Sequence, residues 1–272
     1  MVRILDYTGT PSERSTTVAA IRGLRATGQQ LTQTTAGTAE EAAAAEAAGI
    51  DMIACLGQAV ADVREGTSTT FVSAAVDFQG AVTPDDLLRD AFSALEAGAD
   101  AVITARSFAH VEHLAADDLP VMGHLGFIPK KATLYGGVRT VGKTAAEASR
   151  LWADFRRLED AGAFAVECEL IPTNLMAVIQ ERTGLATVSL GSGPRADVMF
   201  LFQNDICGEG SFVPRHARTY ADLNALHEQI RSERVRALTE WKTDVASGSF
   251  PADSEISRTP DDELAEFLAG LD

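Results

Sequence analysis

EDAGAFAVECE, residues 159–169, ends one element and starts another. Acidic residues and alanine read as a last helical turn, Gly162 supplies a left-handed cap, and the apolar run that follows has strand character. The phrase recurs as EAAGIDMIACL around Gly49, EAGADAVITA around Gly98 and ERTGLATVSLG around Gly184. Helix, glycine and strand in repetition are the signature of βαβ units, whose strands run parallel. Working outward, strands are expected at 30–35, 51–56, 70–75, 100–105, 119–124, 164–169, 186–191 and 198–202, with helical patterns between most of them. Eight such units predict an α/β protein, a (β/α)8 TIM barrel with a C-terminal helical extension; a doubly wound open sheet is the alternative.

A single barrel domain is expected over 1–250, with one or two amphipathic helices in 220–246. The tail at 251–272, mobile or packed on a neighbouring subunit, offers an apolar face of Leu264, Phe267, Leu268 and Leu271. At 272 residues and 46% apolar, the chain can bury a large core. Lys and Arg total 23 against 39 Asp and Glu, a net charge of −16 that repels nucleic acid and anionic membranes. Cys55, Cys168 and Cys207 show no zinc or disulfide spacing, and MVRILDYTGTPSERS lacks an apolar leader core. A cytoplasmic protein is the expectation.

Chemistry gathers around VMGHLGFIPKKATLYGGVRTVGKTAAEA, residues 121–148, and the strand at 164–169. His124 and Glu169 stand at the C-terminal ends of consecutive predicted strands, where barrel enzymes place acid and base groups. Structural roles, a loop tie for His124 and an ion pair for Glu169, are the alternatives. Side chains alternate along a strand, so Glu167 points inward one layer below Glu169. The same parity puts Asp77 on the inward side; Asp77, Glu167 and Glu169 form a candidate carboxylate cluster for a divalent metal, unless Glu167 pairs with an inward Arg or Lys. His110 and His113 share a helix face but lack a third ligand.

GVRTVGKT, residues 137–144, matches the phosphate-loop spacing, but the preceding KKATLYG reads as loop where that motif needs a buried strand. Thr144 with Glu147 reads better as a capping box, leaving Lys143 and Arg139 to meet an anionic substrate or solvent. SLGSGP, 189–194, ends a strand with Ser189 and Ser192, whose backbone can approach a carboxylate or phosphate; a tight turn is the alternative. Asp205 in QNDICGEG is a further candidate for substrate binding.

GHLG at 123–126, GGVRTVGKTAAEA, AGAFAVECELIP, SLGSGP and PRHARTYADL together resemble the ketopantoate (3-methyl-2-oxobutanoate) hydroxymethyltransferase family over roughly residues 97–250. That family belongs with the phosphoenolpyruvate mutase and isocitrate lyase barrels. The resemblance implies Mg2+, methylenetetrahydrofolate as co-substrate, attack by the enolate of a 2-oxo acid, and an oligomer. It places the proton-accepting glutamate on Glu169 and the active-site histidine on His124. It also marks departures: the family's metal-site aspartate and glutamate fall on Ala75 and Ala105, its lysine on Ile103, and its Gly-Asp-Ser loop is absent from CLGQAVADVREGTSTT. Losing two carboxylates removes the usual Mg2+ site, since that ion requires oxygen ligands in octahedral order. The expectation is an aldol-type hydroxymethyltransferase acting on a small 2-oxo acid or related carboxylate. A carbon-carbon lyase or hydrolase is the nearest alternative, and a non-catalytic barrel acting as a binding partner is the alternative of another class.

Overall fold

The computed structural model describes residues 3–76 and 80–271. A short antiparallel pair, β1 (Ile4–Leu5) and β2 (Pro11–Ser12), precedes eight parallel strands: β3 (Leu31–Thr35), β4 (Met52–Leu56), β5 (Phe71–Ala75), β6 (Ala101–Ile103), β7 (Val121–Gly126), β8 (Ala165–Glu169), β9 (Ala186–Leu190) and β10 (Val198–Phe200). The eight close into a barrel, β10 pairing with both β9 and β3. The open-sheet alternative is excluded by that closure. The largest shift from the expected strands is at β7, which runs to Gly126 and so carries His124 inside the strand.

Strand parity sorts the side chains into two cores. Leu31, Met52, Phe71, Ala101, Met122, Ala165, Val188 and Val198 pack as one cluster, which fills the barrel interior. Ile53, Val72, Val102, Val121, Val166 and Cys168, one residue out of phase, pack with Leu95, Leu114, Phe155 and Met176 of the helices. Both faces of most strands are therefore largely apolar, as in a parallel sheet covered by helices, with β3 (LTQTT) the exception. The helix Ala145–Asp160 packs accordingly, with Leu151, Phe155 and Leu158 buried.

Three of the four recurring glycines cap as expected, Gly49, Gly98 and Gly162 having φ of 74°, 109° and 89°. Gly184 differs. It is absent from the left-handed set, and its amide meets the Glu159 carboxylate at 3.2 Å, so space for that acid is what the missing side chain provides. At the N-terminal end of the barrel, Asp100 accepts from Arg14 Nε at 2.7 Å and from the Val72 amide at 2.8 Å and also pairs with Arg64, locking β5 to β6. All three ionic side chains are largely buried, the two guanidinium groups sharing the one carboxylate.

The chain divides into two compact units, Met1–Tyr220 and Ala221–Asp272. The boundary falls ahead of the long helix Leu223–Ser247, not at 250, so that single helix goes with the tail. A nine-residue helix, Asp261–Ala269, carries Leu264, Phe267 and Leu268. No helix among the described residues is long and apolar enough to cross a membrane.

Candidate active site

Barrel geometry brings the C-terminal ends of the strands to one rim, and a cavity of about 740 Å³ opens there. His124, Glu167 and Glu169 line one side, with Lys130 beside them. Leu56, Ala75, Ile103 and Ala105 line the side formed by the ends of β4 to β6, and Leu190, Phe200 and Phe202 line the β9–β10 side. Its walls are thus mostly apolar, with convergent polar groups on β7 and β8, the usual form of a small-molecule site.

The polar cluster follows from strand register. His124 stands opposite Glu167 and Gly126 opposite Glu169 in the β7–β8 ladder. Gly126 has φ 89°, and a Cβ there would run into the Glu169 carbonyl. The glycine lets the chain turn so that the Phe127 amide donates to Glu169 O at 2.8 Å, fixing the two strand ends together. Just beyond Glu169, Leu170 holds φ at 50°, an uncommon conformation for a side chain of its size. Its amide donates to Leu190 O and its carbonyl accepts from the Val141 amide, both at 3.0 Å, so the turn after Glu169 is held from two sides.

His124 Nε2 lies 3.1 Å from Glu169 Oε2 and 3.1 Å from the Phe127 carbonyl oxygen. A carbonyl only accepts, so Nε2 carries a hydrogen. Nδ1 lies 3.7 Å from Glu167 Oε2, an ion-pair separation too long for a hydrogen bond. Glu167 Oε1 accepts from Gln33 Nε2 at 3.1 Å across the barrel interior. A neutral ring with hydrogen on Nε2 would turn the Nδ1 lone pair toward an anionic oxygen. One proton is therefore needed on that edge, on Nδ1 or on Glu167.

Burial acts against charge on His124, but the Glu169 hydrogen bond, the two carboxylate charges and the Phe127 carbonyl outweigh it and raise its pKa. Burial raises Glu167 too, with partial relief from His124 and Gln33. The pair thus retains its shared proton and titrates as a unit. Glu169 Oε1 has no hydrogen-bond partner among the described residues, so one oxygen is held and the other is available.

The structure brings together His124, Glu167 and Glu169 and separates the other sequence candidates from them. Ser189 is fully buried; its hydroxyl donates to Gly193 O at 2.7 Å and accepts from the Ser192 amide. Ser192, also fully buried, donates to Cys168 O at 2.6 Å and accepts from the Ile171 amide at 2.9 Å. Ser189 closes the turn after β9 on itself and Ser192 ties that turn to the end of β8, the tight-turn alternative. Lys143 lines a different depression with Thr144 and Pro172, where Glu147 accepts from its amide at 3.0 Å and from Gly142 at 3.1 Å. Thr144 caps the following helix, and no strand precedes the loop, so the phosphate-loop match is incidental. Asp205, in the short helix Gln203–Cys207, is buried and raised by that burial, and sits behind Gln203 and Asn204, which do reach the cavity.

Glu167 pairs with Gln33 and His124, not with an inward Arg or Lys. Asp77 lies outside the described residues. Among the described residues no group of three or more His, Cys, Asp or Glu is placed to hold a metal ion, and Ala75 and Ala105 offer methyl groups where the resemblance places carboxylates. The described residues do not fit Mg2+ in the way the family resemblance implies. Gln33 and Lys130 were not among the sequence candidates. In β3, which reads LTQTT, Gln33 is one of four polar residues and nothing in the strand singles it out, and nothing local to Lys130 distinguishes it from Lys131.

A closed parallel barrel with a carboxylate–imidazole–carboxylate cluster at its C-terminal rim defines an enzyme of the (β/α)8 class. Among solved structures of this fold, the chain aligns with a phosphonopyruvate hydrolase in complex with oxalate and Mg2+ at a TM-score of 0.54 and 13% identity, over 88% of this chain and 93% of that one. It aligns with a 2,3-dimethylmalate lyase of the PEP mutase/isocitrate lyase superfamily at 0.51 and 14%, over 94% and 100%. Sequence similarity goes further. The ketopantoate hydroxymethyltransferase model matches residues 56–253. A 3-methyl-2-oxobutanoate hydroxymethyltransferase of Roseiflexus sp. (strain RS-1) is 33% identical over 94% of this chain and 99% of its own length, and one of Chloroflexus aurantiacus 35% identical over 77% and 74%. The chain belongs to the ketopantoate hydroxymethyltransferase family.

Proposed function

We propose that this enzyme transfers a hydroxymethyl group to the carbon beside the carbonyl of a small 2-oxo acid, with Glu169 as the base. The observation that carries the reading is the state of Glu169: one oxygen is held by His124, the other has no partner among the described residues, and the residue lines the cavity. Glu169 takes the proton from that carbon, the C–H pair becomes the enolate double bond, and the carbonyl π pair moves to oxygen. The enolate oxygen pair re-forms the carbonyl as the enolate carbon attacks a one-carbon unit at the formaldehyde level, whose π pair becomes an alkoxide that receives the proton from Glu169. From a methylene carrier, water supplies that oxygen and the carrier nitrogens leave protonated. Methylenetetrahydrofolate is the carrier that family resemblance implies. Lys130 lines the cavity and is the candidate for the substrate carboxylate, whereas Lys143 opens elsewhere.

The reading extends to a cytoplasmic homo-oligomer, since Leu226, Ile230, Leu238 and Trp241 of the helix Leu223–Ser247 are exposed apolar residues that a neighbouring copy would cover. Incubation of the protein with 3-methyl-2-oxobutanoate and 13C-formaldehyde, or with the labelled folate, tests the chemistry by 13C NMR. A labelled hydroxymethyl carbon bonded to the quaternary carbon is expected, and unaltered reactants with both donors would oppose the reading.

A further inference from the structure

Glu167 and Gln33 form a buried polar pair inside a barrel whose interior cluster is otherwise mostly apolar, and the mechanism above uses neither. Burying a carboxylate is costly unless another group repays it. Gln33 Nε2 supplies one hydrogen bond to Oε1, and the remaining oxygen faces His124 Nδ1. His124 is thus gripped on both edges, by Glu167 at Nδ1 and by Glu169 and the Phe127 carbonyl at Nε2. Across the cavity, Ala75 and Ala105 carry no donor. An enolate forming here needs a positive charge nearby, and the described donors do not assemble one from a metal.

We infer that Glu167, held by Gln33, is a positioning residue that keeps His124 as an imidazolium against Glu169, and that this resident cation stabilises the enolate where the family resemblance implies a metal ion. The inference rests on the enolate reading. Two carboxylates flank the ring, so a proton on Nδ1 satisfies both, whereas a proton on Glu167 would discard both attractions. When Glu169 takes the substrate proton it becomes neutral, and the imidazolium is left facing the new negative charge. Among the described residues, the other charged groups on the cavity wall are Glu41 and Lys130.

The first test is the His124 ring in full-length protein passed through chelator, read by long-range 1H–15N correlation and assigned with His124→Asn. Five histidines make assignment tractable. Protonation of both ring nitrogens at pH 7, persisting to higher pH than in the other four, is expected; a neutral ring overturns the inference. The second test follows deuterium uptake by 3-methyl-2-oxobutanoate in the same chelated protein. Persistence of exchange is expected, and loss of exchange restored by Mg2+ overturns the inference. Glu167→Gln is expected to lower the exchange rate by about one to two orders of magnitude with substrate KM within about twofold, as loss of a carboxylate orienting a histidine does elsewhere. An unchanged rate with an unchanged ring spectrum overturns it. If Glu167→Gln does not fold, the wild-type spectrum and chelator experiment still decide. Exchange absent from wild type with and without Mg2+ would instead count against the enolate reading itself.

Discussion

A histidine placed 3.1 Å from one carboxylate and 3.7 Å from another is a statement about protons as well as position. Its raised pKa fixes a sign for stability. A histidine raised above its unfolded value of 6.5 stabilises the fold fully below that pH, and this contribution is lost as pH rises through the folded value. Glu167 is raised by burial as well, and because the two groups share one proton this is the same contribution and not a second one. Urea denaturation is therefore expected to show stability falling as pH rises above 6.5, with a shallower fall in Glu167→Gln. A stability curve equally steep in both proteins would contradict the coupling. His124 and Glu169 were legible as residues because both end predicted strands. Their contact was not, since register between β7 and β8 is set by the whole barrel.

Turns position this site as much as strands do. Gly126 combines a left-handed φ with a backbone approach that excludes a Cβ. Gly126→Ala is expected to cost about 1–3 kcal/mol by chemical denaturation, with lower activity because the Phe127–Glu169 backbone bond is displaced. Ser192 offers a second lever: its hydroxyl joins the turn after β9 to Cys168 O and the Ile171 amide. Ser192→Ala leaves both buried groups unpaired, an expected loss of about 1–3 kcal/mol in the same assay. SLGSGP shows why a small-residue turn is ambiguous from sequence. Such residues suit ligand approach and tight packing equally, and only the burial of both hydroxyls separates the two.

At the scale of the whole molecule the eight-strand pattern was readable because each unit repeats the same helix, glycine and strand chemistry, and β4, β6, β8 and β9 all begin a few residues after such a glycine. The unit boundary at Tyr220 was less readable, since a helical pattern does not say to which unit the helix belongs. Asp100 ties the N-terminal end of the barrel through Arg14 and Arg64, far in function from the rim chemistry. Asp100→Ala strands two buried cations and is expected to destabilise by about 3–5 kcal/mol, seen as a lowered denaturation midpoint. The exposed apolar helix predicts a mass by light scattering of at least twice the 28.8 kDa chain.

The central claim, that Glu169 generates an enolate beside a carbonyl, is tested most directly by proton NMR of 3-methyl-2-oxobutanoate in D2O with wild-type protein and Glu169→Gln. Loss of the C3 proton signal with wild type, and its retention with a folded Glu169→Gln, is the predicted result. Equal exchange in both proteins would contradict the role given to Glu169, and no exchange in either would contradict the enolate chemistry.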